Sequence, residues 1–287
     1  MIDLESLGDE CPGTLAVCVP GLLALNEDVE LPLASAGKLL LLAEVARSVA
    51  SGSLDPAEPV TLLDGDYRGG SGLLGGLSAR RWTVADLALL TAAVSDNTAT
   101  NALLRRLGLD RVNERAGDLG FARTRILDLI REPRLPEHPP AFAVGTAAEL
   151  SGFATLLLAA GRGTDARGDD ARGDDARGDD ARGDDAPWKP LLLGWMAHNT
   201  DRSLVPALLP HEPEDRDVPS AAPPGTVWAA NKTGTDTGVR TDVGVLVGAR
   251  AVGYAVLASG PAGREHDLVK AVRQAGLRIG ALALRRD

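Results

Sequence analysis

Three short motifs, far apart in the chain, carry side chains that can acylate a serine. They are Ser35-Ala36-Gly37-Lys38, Ser95-Asp96-Asn97 and Lys232-Thr233-Gly234-Thr235. Residues three apart on a helix share a face, so Ser35 at a helix start can present its hydroxyl to the Lys38 amine. Burial and a nearby cation such as Lys232 both lower the pKa of a lysine, which lets it accept a proton. The motifs therefore predict a nucleophilic serine with a lysine base.

Hydrophobic periodicity and turn residues predict the elements that must position these side chains. Strands are predicted at 13–19 and 22–25, around a Pro20-Gly21 turn, and again at 227–232, 242–247 and 251–257. Helices are predicted at 33–50, 83–95, 98–107, 146–160, 190–198 and 265–284. This order predicts a discontinuous α/β domain (1–50 and 200–287) around a mainly helical domain (51–199), with the site in the cleft between them.

In this combination and order, the motifs resemble those of class A members of the penicillin-binding protein and serine β-lactamase superfamily. Ser35 and Ser95 are 60 positions apart, a separation like that of the class A pattern, and the second motif runs on through Asn101 as the longer family signature does. The resemblance implies an α/β fold with an antiparallel sheet flanked by helices, plus an all-α lobe. It implies a β-lactamase-like serine hydrolase, with the antibiotic-resistance activity of such enzymes.

The resemblance also assigns roles within the motifs. Ser35 would be the nucleophile, and Ser95 would relay a proton to the leaving nitrogen. Lys232 would supply positive charge for a substrate carboxylate and for the Ser95 hydroxyl. Asn97 would hydrogen-bond a substrate amide, and Asn101 would have a structural role. The remaining substrate contacts would come from Thr233 and Arg240 on a carboxylate, from Gly234, and from the backbone of Thr235 as an oxyanion donor.

A fourth segment, Glu132-Pro133-Arg134-Leu135, resembles the family's omega loop, whose glutamate activates the deacylating water. Two departures from the family pattern follow it. Pro136 stands where the family has an asparagine that helps to hold the water, and a proline side chain forms no hydrogen bond. Gly145 stands where an aspartate normally closes the loop. We therefore expect slow deacylation and altered anchoring of the loop, and an exposed surface carboxylate is the alternative interpretation of Glu132.

Composition fits a globular protein near the size at which one core divides into two lobes: 287 residues, of which 44% are hydrophobic and 24% charged. The net charge of −10 disfavours nucleic acid as a partner. From 166 to 185 the pentapeptide Ala-Arg-Gly-Asp-Asp occurs four times, each copy with one positive and two negative charges, which gives −4 and leaves −6 for the rest. The repeat has no apolar side chain larger than alanine that a core could bury, so it predicts a disordered or extended acidic insertion.

Other signals are weaker. Gly70-x-Gly72-x-x-Gly75 follows no hydrophobic strand, which favours a loop over a nucleotide site. The four histidines have no ligand spacing, so neither a metal nor another cofactor is predicted, and Cys11 and Cys18 are expected to stay thiols. No signal peptide or membrane span is predicted. The chain as given is expected to be a cytoplasmic monomer, or a secreted one if a leader has been removed.

The substrate predicted from these observations is a small molecule: a β-lactam, an ester or a D-amino-acid peptide. A class A β-lactamase-like acyl-hydrolase is the leading hypothesis. A DD-peptidase or esterase of the same superfamily is the nearer alternative, favoured by Pro136 and the altered loop. A catalytically silent binding protein that kept the pocket is the second, although every motif residue with chemical function is present.

Overall fold

A five-stranded antiparallel sheet formed by the two ends of the chain is the centre of the computed structural model, which describes residues 4–159 and 186–285. Its strands are β1 Thr14–Val19, β2 Leu23–Leu25, β8 Trp228–Asp236, β9 Val239–Val247 and β10 Ala251–Ser259. They lie side by side in the order β2-β1-β10-β9-β8. The shorter strands, in two small sheets, are β3 Leu31–Pro32, β4 Pro59–Thr61, β5 Arg81–Thr83, β6 Arg125–Ile126 and β7 Ala143–Gly145.

Helices surround this sheet and fill the middle of the chain. Within the described residues they are α1 Leu4–Glu10, α2 Lys38–Ala50, α3 Val84–Ala93, α4 Asn97–Leu107, α5 Leu109–Asp118, α6 Ala147–Ala159, α7 Trp188–Ala197 and α8 Glu265–Leu284. The predicted capping pattern is present, because Thr83 and Asp86 exchange backbone-to-side-chain hydrogen bonds at the start of α3. Over the ranges 4–159 and 186–285, no helix is long and apolar enough to cross a membrane.

The sheet is covered on both faces. Helix α8 buries Leu268, Val272 and Ile279 against one face, together with α1. Helix α6 lies directly on the other face, because a β-carbon added at Gly253 of β10 would overlap the Thr155 backbone. Three layers result, and the predicted α/β architecture with flanking helices is confirmed.

Helix α2 is the hub of the helical part. Its residues Leu39 to Leu42 are all buried, and it packs against α3, α4, α5 and α7. Four consecutive leucines cover every side of one helical turn, so this part of α2 has to be enclosed by other elements. Since α2 also continues from the Ser35 turn, the enclosing helices fix the direction of the first motif. The predicted division into two domains remains a prediction. Helix α2 of the first predicted domain packs against helices of the second, and α6 of the second packs against the sheet of the first.

The observed elements differ from the predicted ones at several points. The predicted helix at 33–50 begins as a 3₁₀ turn, Ala34–Gly37, before α2 starts at Lys38. Helix α5 was not predicted, because Gly108, with φ of +90°, ends α4 and α5 begins at the next residue. Strand β8 extends to Asp236, so the third motif lies within a strand. The predicted acidic insertion at 166–185 lies outside the described residues.

Candidate active site

A cleft of about 150 Å³ collects residues from all three motifs. Its walls come from the Ser35 turn, the end of α3, strand β8 and the segment after α7. The lining residues are Ser35, Ser71, Ala93, Val94, Ser95, Asn199, Thr200, Asp201, Thr233 and Thr235. Side chains that are up to 200 positions apart in the chain therefore face one space, and Lys38 and Lys232 lie buried behind it.

The Ser35 turn is clamped between strands. Ala34 has φ of +46°, a left-handed conformation that costs free energy for a residue with a β-carbon. Two contacts at Leu33 hold the turn: its N–H donates to the Ala143 carbonyl of β7 at 2.9 Å, and its carbonyl accepts from Thr241 Oγ1 of β9 at 2.7 Å. A β-carbon at Gly234 would overlap the Leu33 carbonyl, so glycine lets β8 approach the turn.

Lys38 is fully buried and hydrogen-bonds to the second motif. Its Nζ donates to the Ser95 carbonyl at 2.7 Å, to Ser95 Oγ at 3.1 Å and to Asn97 Oδ1 at 2.8 Å. Burial, and next the positive charge of Lys232, hold the pKa of Lys38 well below its ordinary value, against the opposing charge of Asp96. Within the described residues Ser35 Oγ makes no hydrogen bond, so the contact expected between Ser35 and Lys38 is not formed here.

The second motif is held in place by hydrogen bonds to Asp96. Ser95 has φ of +55°, and Asp96 caps α4 by accepting from Ala99 N at 2.8 Å. The other oxygen of Asp96 accepts from Leu73 N and Leu74 N at 2.6 and 2.9 Å. A β-carbon at Gly72 would overlap Asp96. The glycine cluster that suggested a nucleotide site thus belongs to a loop packed against Asp96, as predicted.

Lys232 lies on β8, fully buried beneath Thr233. Its Nζ donates to the Thr233 carbonyl at 2.9 Å. Burial lowers the pKa of Lys232 to about 8, although the negative charges of Asp201 and Asp242 oppose that shift. The lysine is therefore mainly protonated at neutral pH and becomes neutral in mildly alkaline solution.

Strand register explains what Thr235 and Arg240 can do. The Thr237-Gly238 hairpin makes Asp236 and Val239 its closing pair, so Thr235 and Arg240 form the next, non-hydrogen-bonded pair. The Thr235 N–H then faces away from β9, on the free edge of β8 next to the Ser35 turn. The Arg240 guanidinium donates to the carbonyls of Asp236 and Val239, both at 2.7 Å, and does not line the cleft.

Comparison with known proteins agrees with this arrangement. A sequence model described as "Beta-lactamase enzyme family" matches residues 13–170 and 183–282. The chain belongs to the beta-lactamase enzyme family. A related protein, the beta-lactamase regulatory protein BlaB of Streptomyces cacaoi, is 29% identical over 251 residues, which are 82% of this chain and 78% of that protein.

Solved structures show the same fold. A β-lactamase from Sphaerobacter thermophilus has a TM-score of 0.73 at 23% identity, over 98% of each chain. PBP-A has a TM-score of 0.75 at 19% identity, over 97% of this chain and 93% of that one. The solved structures confirm the predicted fold class, and the family match confirms the predicted relationship to β-lactamases.

In this member of the beta-lactamase enzyme family, the omega-like loop leaves Glu132 exposed. Glu132 lies beside Gly69, whose carbonyl accepts from Asn97 Nδ2 at 2.7 Å. Over the described ranges it makes no hydrogen bond, to Lys38 or to Asn97. The loop is anchored nearby by Asn101, which exchanges two hydrogen bonds with the Ile130 backbone at 2.9 and 3.1 Å. The backbone of the loop is thus held close to the motifs, whereas no hydrogen bond within the described residues holds the Glu132 carboxylate.

Glu149, and not an aspartate at position 145, closes the omega-like loop. Glu149 of α6 accepts from the backbone N–H groups of residues 122–124 and from Thr124 Oγ1 at 2.6 Å. A β-carbon at Gly145 would collide with the Thr124 side chain, at 2.5 Å from its hydroxyl oxygen. The departure at Gly145 is thereby explained: the glycine makes room for Thr124, and Glu149 holds the ends of the loop together.

Sequence reasoning missed Asp201, which no motif marks. Its Oδ2 accepts from Thr233 Oγ1 at 2.8 Å, and its Oδ1 accepts from Ser203 N at 3.0 Å. Burial raises the pKa of this carboxyl group, but hydrogen bonds from Ser203 and Thr233 and the charge of Lys232 outweigh burial and hold the pKa below its ordinary value. Asp201 is therefore an anion at neutral pH, and it lines the cleft.

Proposed function

We propose that this protein is a serine acyl-hydrolase that opens a β-lactam or a related activated acyl compound through an acyl-enzyme on Ser35. Ser35 Oγ attacks the carbonyl carbon, and its proton passes to Lys38. The carbon–nitrogen bond then breaks, and Ser95 gives its own proton to the leaving nitrogen while it takes one from Lys38. Water later cleaves the Ser35 ester and restores the serine.

The observation that carries the proposal is the position of Lys38. Its Nζ lies 3.1 Å from Ser95 Oγ, fully buried, behind a cleft that Ser35 and Ser95 share. A lysine with a lowered pKa can both take and return a proton near neutral pH, and the hydrogen bond to Ser95 gives the path to the leaving group. A buried lysine with a merely structural role would not need a second serine from the same cleft as its partner.

Backbone groups on the edge of β8 support the same reaction. The Thr235 N–H faces the free edge beside the Ser35 turn, and the N–H of Ser35 lies near the start of its own short helix, where backbone donors have no helical partner. Two such donors would stabilise the oxyanion of a tetrahedral intermediate. A solved structure of a mutant of PBP-A, 19% identical, is described as an acyl-enzyme complex with penicillin G.

Intact-protein mass spectrometry tests the proposal. The protein is mixed with nitrocefin, benzylpenicillin and a nitrophenyl ester of phenylacetic acid, and samples are quenched over time. We expect an increase in mass equal to the acyl group, and peptide mapping should place it on Ser35. Hydrolysis without an adduct on Ser35, or an adduct elsewhere, would contradict the assigned nucleophile.

We propose Glu132 as the residue that directs water at the acyl-enzyme, with slow turnover because its carboxylate is exposed and bound to none of the described residues. Glu132→Gln should slow the loss of the adduct by at least about tenfold, as followed by mass after removal of excess acyl donor. Glu137→Gln is the matched control, since Glu137 is an exposed carboxylate five positions along the same loop. Equal adduct lifetimes in both variants and the wild type would remove Glu132 from the mechanism.

The pKa of Lys232 predicts the alkaline side of the pH profile. Lys232 loses its positive charge as pH rises through about 8. The oxyanion is then stabilised less, and the Ser95 hydroxyl loses the positive electrostatic potential that Lys232 supplies. The acylation rate constant should therefore fall above about pH 8. Lys232→Arg should move that fall beyond about pH 10, because arginine stays protonated. An unchanged alkaline limb in the arginine variant would show that another group causes it.

A second candidate function is that of a ligand-binding regulatory protein. The relative named as a beta-lactamase regulatory protein favours it, as do the missing contact between Ser35 and Lys38 and the exposed Glu132. Such a protein would bind its ligand without forming a covalent adduct, or would hold the adduct without hydrolysing it. Calorimetric titration with benzylpenicillin, run alongside the mass experiment, separates these cases: saturable binding with no adduct indicates a non-covalent sensor.

A further inference from the structure

An anionic side chain, Asp201, faces the cleft beside Thr233. Among the cleft-lining residues within the described ranges, Asp201 is the only acid or base. Lys232 lies beneath Thr233 and is fully buried, and the Arg240 guanidinium is turned to the carbonyls of its own hairpin. A ligand that enters the cleft therefore meets the Asp201 carboxylate and, among the residues that the structure describes, no cationic side chain that lines the cleft.

Asp201 is held firmly in this position. Asn199 exchanges two hydrogen bonds with its backbone: Asn199 Nδ2 donates to the Asp201 carbonyl and Asp201 N donates to Asn199 Oδ1, both at 3.1 Å. Asn199 Nδ2 also reaches Asn231 Oδ1 on β8 at 3.1 Å. Next to it, Thr200 N donates to the Ala93 carbonyl at the end of α3 at 2.9 Å. The segment is thus tied to both α3 and β8, which fixes the Asp201 backbone, and the carboxylate leaves the cleft only by breaking its hydrogen bonds from Thr233 and Ser203.

The carboxylate also engages the hydroxyl group that a ligand anion would need. Thr233 Oγ1 donates its single hydrogen to Asp201 Oδ2. A second carboxylate at this point would lose that donor and would face a like charge in a partly desolvated cleft. A neutral ester or amide avoids the repulsion, and an ammonium or amide N–H can donate to the lone pairs that Asp201 still has free.

We propose that Asp201 is a specificity-determining residue, which makes the end of the cleft beside Thr233 accept acyl donors with an uncharged or cationic group there and reject those with a carboxylate. The inference rests on the proposed acylation of Ser35 and narrows its substrate class. Preferred substrates are then esters, amides or amine-bearing compounds, whereas a β-lactam with a free carboxylate acylates the protein slowly.

A matched pair of acyl donors tests this: benzylpenicillin and its methyl ester share one lactam ring and differ in the charge beside it. Acylation rate constants are measured by intact mass for the wild type, Asp201→Asn and Asp236→Asn. Asp236 is an exposed acid at the end of β8 that does not line the cleft, so it controls for a general charge effect. Asp201→Ser serves as a second variant of different size, and thermal melting checks folding.

We expect the wild type to react with the methyl ester at least about tenfold faster than with the acid, the size of effect that a like charge a few ångström away produces. Asp201→Asn and Asp201→Ser should raise the rate with benzylpenicillin by at least about tenfold and leave the ester within about threefold, while Asp236→Asn keeps the wild-type preference. An unchanged preference in both Asp201 variants, or equal changes for both donors, overturns the inference.

A failure of the proposed acylation can be distinguished from a failure of the charge preference. If neither donor labels Ser35 in any variant, acylation is overturned, and the charge preference is then measured by calorimetric binding of phenylacetylglycine and phenylacetylglycinamide. Tighter binding of the amide by the wild type, lost in Asp201→Asn, supports the charge selection without any acylation. Equal binding of the two compounds, or no detectable binding of either, overturns it.

Discussion

Ser35→Ala is expected to abolish the covalent adduct that the wild type forms with activated acyl donors, and to lower their hydrolysis by at least about 10³-fold. The hydroxyl oxygen of Ser35 is the only atom of that side chain that can form the ester. Neighbouring donors and the cleft would remain and would support weak water attack at most. Time-resolved intact mass and nitrophenolate release measure the two effects.

Ser71→Ala is the control for this loss. Ser71 also lines the cleft, but it has no lysine within hydrogen-bonding contact in the described structure. Its variant should retain the adduct. Removal of the Ser35 hydroxyl should disturb folding little, because Ser35 Oγ makes no hydrogen bond in the described structure and the turn is held through Leu33 and Gly234. An adduct that persists in Ser35→Ala and vanishes in Ser71→Ala would reassign the nucleophile.

The motifs could be found from the sequence because their chemistry requires particular residue types at fixed short spacings. Several elements around them were also predictable, since Leu39 to Leu42 of α2, the second half of β9 and most of β10 are apolar. The left-handed conformation of Ala34 was not predictable. It arises because Leu33 is bonded to both β7 and β9, and those strands are more than 100 residues away in the chain.

Asp201 and Arg240 show where sequence reasoning ends. Asp201 reaches the cleft because residues 199–200 are bonded to Ala93 and Asn231, contacts that no local pattern records. Arg240 was predicted near a substrate carboxylate from its position in the chain. In the structure, the hairpin at Gly238, with φ of +66°, places the Asp236 and Val239 carbonyls where the Arg240 guanidinium donates hydrogen bonds to them. The charge in the cleft therefore depends on tertiary contacts at Asp201 and on the local geometry of a hairpin at Arg240, and neither is visible in the motifs.

Lys38→Arg is expected to lower the acylation rate constant by at least about 10²-fold, although arginine keeps the positive charge and can donate hydrogen bonds to Ser95 and Asn97. Arginine remains protonated at any pH used, so it cannot accept the proton of Ser35. Lys38→Met should lose at least as much. If Lys38 contributed only its charge and its hydrogen bonds, the arginine variant would instead stay within a few-fold of the wild type.

Lys189→Met separates catalysis from the loss of any buried lysine, because Lys189 in α7 is also fully buried and does not line the cleft. That variant should change the melting temperature and leave acylation largely intact. The wild-type rate should also rise with pH at values well below the ordinary lysine pKa, since burial and Lys232 both favour neutral Lys38. A rate that is independent of pH from about 5 to about 8, together with an active Lys38→Arg variant, would mean that Ser35 is activated by another group.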